Sequence, residues 1–132
     1  MRSLITRFIP DESYEAFMFR SGLALYAAII LFGSIPGARA EMGEVASGLV
    51  LHFAAYSCIA FLLACGVSGG PSLKAFKAFF LVAAMGALDE GIQAFLPYRN
   101  GAIMDWSVDV AAGLFTALLY RAAAAGEPSV TT

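Results

Sequence analysis

Four stretches of almost unbroken apolar residues run along this chain, separated by short segments that contain polar and turn-forming residues. They centre on residues 22–36, 45–66, 75–96 and 102–120. Each is close in length to the roughly 20 residues with which a helix crosses the hydrocarbon core of a bilayer. The pattern therefore predicts four transmembrane helices, and residues 17–19 (FMF) extend the short first one at its start.

Composition favours the same interpretation over a soluble helical bundle. Of 132 residues, 60% are hydrophobic and 14% are charged, whereas soluble domains are about half apolar and a quarter charged. We predict an all-α integral membrane four-helix bundle with short loops. Residues 1–21 form an N-terminal interfacial segment, residues 22–121 the transmembrane domain and residues 122–132 a tail.

Basic residues are unequally divided between the two ends of the predicted helices. Because lysine and arginine are retained on the cytoplasmic side, the richer end predicts cytoplasmic termini and a multi-pass topology. That end carries Arg2, Arg7, Arg20, Lys74, Lys77 and Arg121, and the other end carries Arg39 and Arg99. Without a basic patch, the chain shows no sign of binding nucleic acid.

Ionisable residues within the helices share one depth. His52, the Asp89–Glu90 pair, Asp105 and Asp109 each lie a few residues from the outer end of their helix, about 5–11 Å below the surface at 1.5 Å per residue. Intramembrane charges normally face a bundle interior or a wet cavity. The shared depth predicts one polar site in the outer leaflet.

The spacing of these polar residues also places them on common helix faces, because residues three or four apart are neighbours on a helix. His52 and Tyr56 are four apart, as are Asp105 and Asp109, and Gln93 follows Glu90 by three. Pro97 and the Asn100–Gly101 turn make the next connection short. The third and fourth helices are therefore predicted to be antiparallel neighbours, with Arg99 over the site.

Three functions fit this set of side chains. In an enzyme acting on an envelope lipid or cell-wall precursor, Glu90 is the base, His52 the acid or its orienter, and Arg99 clamps an anionic head group. A non-catalytic binder would use the same pocket. In a structural protein the polar network would lock the bundle, with Arg99 pairing Asp105 or Glu90 and His52 donating to a carboxylate.

We assign the candidate residues accordingly. The catalytic set is His52, Glu90 and Asp105, and the substrate-binding set is Arg99, Gln93, Tyr56, Asp89 and Asp109. We expect no cofactor, because the chain has no pair of histidines at metal-binding spacing. A divalent cation held by His, Asp and Glu is the weaker alternative. The oligomeric state is left open.

Two strings of residues resemble the VanZ-like family. They are H-F-x-x-Y in the second helix and D-E-x-x-Q-x-F-x-P-x-R-x5-D from the third helix into the fourth. The matching positions are His52, Phe53, Tyr56, Asp89, Glu90, Gln93, Phe95, Pro97, Arg99 and Asp105. The resemblance covers about residues 45–120.

The VanZ-like resemblance implies a small multi-pass protein of the bacterial cytoplasmic membrane. It also implies a link to glycopeptide resistance, because the founding member is associated with low-level resistance to teicoplanin-type antibiotics. Two positions differ from many members. Gly48-Leu49 stands where they have Asp-Lys, and Asp109 stands where they have Asn.

Overall fold

The computed structural model describes residues 12–43, 47–99 and 102–126, and the regular structure in these ranges is entirely helical. The helices are α1 (Glu12–Gly33), α2 (Ala38–Gly43), α3 (Gly48–Gly66), α4 (Pro71–Ala94) and α5 (Ile103–Ala125). All but the six-residue α2 are long and apolar enough to cross a membrane. The predicted all-α class with four candidate spans is confirmed.

The first helix differs most from its predicted bounds. It begins at Glu12, ten residues before the predicted transmembrane domain and five before the predicted extension at residues 17–19, so residues 12–21 continue the first span without a break. It ends at Gly33, and the following turn, around Pro36, leads into α2. Gly37 in this turn has a φ of +86°, which favours glycine. Predictions for residues 1–11 and 127–132 lie outside the described residues.

Helix α3 is the centre of the bundle. It packs against α1, α4 and α5, and α4 also packs along α5, as the short connection between those two helices predicted. The core contains Tyr56, Ile59 and Leu63 from α3, with Val82 from α4 and Ala112 from α5. Large apolar side chains elsewhere point outward (Phe17, Leu31, Phe80, Leu118), as expected for a surface that contacts lipid chains.

At the end of the bundle opposite the candidate site, α1 is fixed by two contacts. A Cβ atom built on Gly66 would lie 2.3 Å from the backbone nitrogen of Phe19, so the two helices touch through their backbones. Lys74, only 7% exposed, forms a 2.5 Å ion pair with Glu15. Together with Leu25, Tyr26 and Ile29, which pack on the core, these contacts hold α1 against the bundle.

Candidate functional site

The start of α3, the end of α4 and the start of α5 meet at one end of the bundle. This juxtaposition brings the predicted polar residues together. Five of them are nine-tenths or more buried: Asp89, Glu90, Gln93, Asp105 and Asp109. Such burial removes the carboxylates from water, so their charge has to be balanced by protons, cations or hydrogen-bond donors nearby.

His52 is in direct contact with the acids of α5. Its Nδ1 lies 2.9 Å from Asp109 Oδ1, at hydrogen-bond distance, and its Nε2 lies 3.8 Å from Asp105 Oδ2. When Nδ1–H donates to Asp109, a neutral imidazole keeps its lone pair on Nε2. The sequence-based expectation that His52 pairs with a carboxylate is confirmed, and its partner is Asp109.

Asp109 reaches His52 because α4 leaves room for it. A Cβ atom on Gly86 would lie 2.9 Å from Asp109 Oδ2, so the missing side chain allows α5 to approach α4 closely. Asp109 is fully buried, and its Oδ2 has no hydrogen-bond partner. It does not line the pocket described below, although the sequence placed it in the substrate-binding set.

Glu90, the predicted general base, forms its hydrogen bond with a backbone N–H group. Its Oε2 accepts a 2.6 Å hydrogen bond from the backbone N–H of Ala102, the N-cap residue of α5, which has no side-chain cap of its own. A carboxylate at a helix N-terminus is stabilised by the helix dipole. The other oxygen, Oε1, is buried without a partner.

Asp89 and Tyr56 form a second polar pair beside His52. Tyr56 donates a 3.0 Å hydrogen bond from its hydroxyl to Asp89 Oδ2, and its ring is parallel to the His52 imidazole at a centroid distance of 6.0 Å. Tyr26 packs edge-on against Tyr56 and donates to the carbonyl oxygen of Met85. Through Tyr26, these contacts link α1 to the Tyr56–Asp89 pair of α3 and α4.

Arg99 is bound by neutral acceptors. It donates from Nη1 to the carbonyl oxygen of Gly33, at 2.8 Å, and from Nη2 to Gln93 Oε1. Its Nε is buried without a partner. In the part of the chain that the structure describes, no carboxylate lies within ion-pairing distance of Arg99. The ion pair with Asp105 or Glu90 that a structural lock would use is therefore not formed.

A cavity of about 460 Å³ lies between α1, α3 and α4 and opens to the outside. Its size is in the range of small-molecule sites. Its apolar lining consists of Ala28, Ile29 and Phe32 from α1 and Leu51 and Ala55 from α3. Its polar lining consists of His52, Tyr56, Asp89, Gln93 and Arg99. Of the predicted catalytic residues only His52 reaches this cavity.

The apolar lining of the cavity is the part of the site that the sequence did not predict. Ala28, Ile29 and Phe32 are ordinary residues of an apolar span, so no local signal marks them as pocket residues. Nothing in the sequence marks the Gly33 carbonyl, which accepts a hydrogen bond from Arg99, because every residue has a backbone carbonyl. Only the packing of α1 beside the start of α3 gives these groups a role.

No family model, curated protein or solved structure matches the chain. The VanZ-like resemblance stays a prediction.

Proposed function

We propose that this protein binds an envelope lipid, or a lipid-linked cell-wall precursor, by its anionic head group and acts on that group with His52. The observation that carries the proposal is Arg99, a guanidinium at the wall of an amphipathic cavity with no carboxylate partner among the described residues. The positive charge of an arginine at a cavity wall is best balanced by an anionic ligand bound in the cavity. Binding without turnover is the second candidate.

The shape of the cavity fits an amphiphile. A lipid chain would pack against Ala28, Ile29 and Phe32, and its head group would bind Arg99 and Gln93, which line the same cavity. Arginine holds phosphate and carboxylate through two parallel hydrogen bonds, which are stronger than bonds between neutral groups. Nη1 and Nη2 each carry a second N–H besides the one that donates to Gly33 or Gln93, and these two would serve the head group.

The chemistry proposed for His52 follows from its hydrogen bond. Asp109 holds the ring through Nδ1, so Nε2 is the atom able to accept a proton from a head-group hydroxyl or a water. A carboxylate that orients an imidazole in this way is a recurrent part of general-base sites. Tyr56 and Asp89 line the cavity beside His52, and their oxygens would accept hydrogen bonds from hydroxyl groups of the head group.

The proposed orientation puts this cavity at the outer face of the bacterial cytoplasmic membrane, with both termini in the cytoplasm. Support comes from the opposite end of the bundle, which carries Arg20, Lys74, Lys77 and Arg121, as the positive-inside rule requires of the cytoplasmic side. Through the VanZ-like resemblance, the proposal extends to reduced susceptibility to teicoplanin-type glycopeptides in cells that express the protein.

The Arg99→Gln variant tests the anion clamp. Native mass spectrometry of the purified chain in detergent should show that phosphatidylglycerol is retained in preference to phosphatidylcholine. We expect Arg99→Gln to reduce that preference about tenfold or more, because a hydrogen bond to a charged group contributes about 1.5–3 kcal/mol.

The matched control is Arg121→Gln, which removes an exposed arginine from the far end of α5 and should leave the preference unchanged. An equal loss of the phosphatidylglycerol preference in both variants, or no loss in either, would contradict the binding of the head group by Arg99. Incubation of the wild type with envelope lipids in proteoliposomes separates the two candidates, since only an enzyme changes the lipid.

A further inference from the structure

Around His52 the described part of the chain buries two acids, Glu90 and Asp109, with no described lysine or arginine at ion-pairing distance from either. Glu90, Asp105 and Asp109 surround this single imidazole, with Asp89 close by. Each ionised acid in a membrane interior costs about 3 kcal/mol on insertion scales. Even a protonated His52 would leave the group negative, and Arg99 makes its contacts with Gln93 and Gly33 instead.

Two carboxylate oxygens of this group are buried without a hydrogen-bond partner among the described residues. They are Glu90 Oε1 and Asp109 Oδ2, on residues that are 9% and 0% exposed. Buried polar atoms of native proteins nearly always have a hydrogen-bond partner, a water or an ion. Because Glu90 follows Gly86 by one turn on α4 and Asp109 Oδ2 lies beside Gly86, both acids occupy the same stretch of the α4–α5 interface.

The donor atoms are close enough to share one ion. His52, Glu90 and Asp109 each offer one nitrogen or oxygen atom, and these atoms lie within 4.8 Å of one another. Ligand bonds of about 2.0–2.2 Å hold neighbouring donors of one ion about 3–4 Å apart. Small rotations of the Glu90 and Asp109 side chains would close the remaining distance.

We propose that His52, Glu90 and Asp109 bind a divalent cation. Two carboxylates and a neutral imidazole around a doubly charged ion sum to zero, so the ion would balance the charges of Glu90 and Asp109. A site of one nitrogen and two oxygens suits Zn²⁺ or Mn²⁺ better than Mg²⁺, which prefers oxygen ligands and retained water. The ion would lie beside the cavity, since His52 belongs to both the site and the cavity wall. Ion binding and the proposed base role both use the one lone pair of the neutral imidazole, so His52 in the ion-bound protein would be a ligand and not the base.

Titration of the purified full chain with Mn²⁺ tests this site. The measurement is made in lipid-free detergent, so it does not depend on the proposed lipid binding, and electron paramagnetic resonance reports the loss of the free-ion signal. We expect one Mn²⁺ per chain, displaced by Zn²⁺. Glu90→Gln and Asp109→Asn, which keep the shape of each side chain, should each weaken binding at least tenfold.

Glu41→Gln is the control, because it removes an exposed acid of α2 and should leave the affinity unchanged. Circular dichroism and size-exclusion chromatography establish that each variant is folded. A wild type that binds neither Mn²⁺ nor Zn²⁺ overturns the proposal whichever variants fold. An affinity for Mn²⁺ that is unchanged in both folded site variants also overturns it. An affinity that falls equally in Glu41→Gln would indicate adventitious binding and overturns it as well.

Discussion

The His52→Leu variant is expected to lose about 3 kcal/mol of its free energy of unfolding, and adding Asp109→Leu to it should restore most of that loss. The single change leaves Asp109, which is fully buried, without the imidazole that its Oδ1 contacts. Breaking a buried charged pair by removing one partner typically costs about 3–5 kcal/mol. Leucine has nearly the branched shape of aspartate, so the double variant replaces the pair with apolar packing.

This pair of variants separates a functional site from a structural lock. Replacing both members of a buried pair by apolar residues is often neutral or stabilising, and here it also removes one of several mutually repelling acids. We therefore expect the double variant to unfold within about 1 kcal/mol of the wild type while losing Mn²⁺ binding and any lipid turnover. Reversible unfolding in mixed detergent micelles measures the stabilities.

A double variant that is as unstable as His52→Leu alone would mean that the His52–Asp109 pair serves to stabilise the bundle. The coupling energy between the two positions distinguishes these cases. It is the loss of unfolding free energy in the double variant minus the summed losses in the two single variants. Asp109→Leu alone completes the cycle.

The Gly66→Ala variant is expected to lose about 3 kcal/mol or more. Its added Cβ would lie 2.3 Å from the nitrogen and 2.6 Å from the Cα of Phe19. These are backbone atoms, so no side-chain rotation relieves the overlap and α1 has to move away from α3. Overpacking in a core costs about 1–3 kcal/mol even where side chains can adjust.

Gly91→Ala is the matched control for Gly66→Ala. It makes the same substitution within a helix, but a Cβ atom at this exposed position of α4 meets no other atom within 4 Å. Alanine should stabilise α4 there by up to about 1 kcal/mol through its higher helix propensity. Equal effects of the two substitutions in the unfolding measurement would mean that α1 does not touch α3 at Gly66. Because α1 forms one wall of the cavity, Gly66→Ala should also weaken lipid retention.

The sequence alone predicts the spans and the depth of the polar residues because both depend on local properties. An apolar run long enough for a membrane is visible in any single segment, and the distance of His52 or Glu90 from the end of its helix follows from the rise per residue. The short connection after α4 then makes α4 and α5 neighbours. These features are set within one helix or between consecutive ones.

The pairing inside the site depends on how the helices rotate against one another, which residue spacing does not determine. His52 contacts Asp109 because the absence of a side chain at Gly86 lets α5 approach α4. Glu90 accepts from Ala102 because α5 begins beside it. Arg99 binds the carbonyl of Gly33 because α1 ends there. Each contact requires the positions of two or three helices at once.

The most direct test of this account is an experimental structure of the protein in nanodiscs that contain phosphatidylglycerol. We predict a lipid chain along Ala28 and Phe32, with its phosphate within hydrogen-bond distance of Arg99, and His52 against Asp109 beside it. A structure in which Arg99 pairs with a carboxylate, the cavity is closed, and the acids of α4 and α5 face the lipid chains would contradict the account.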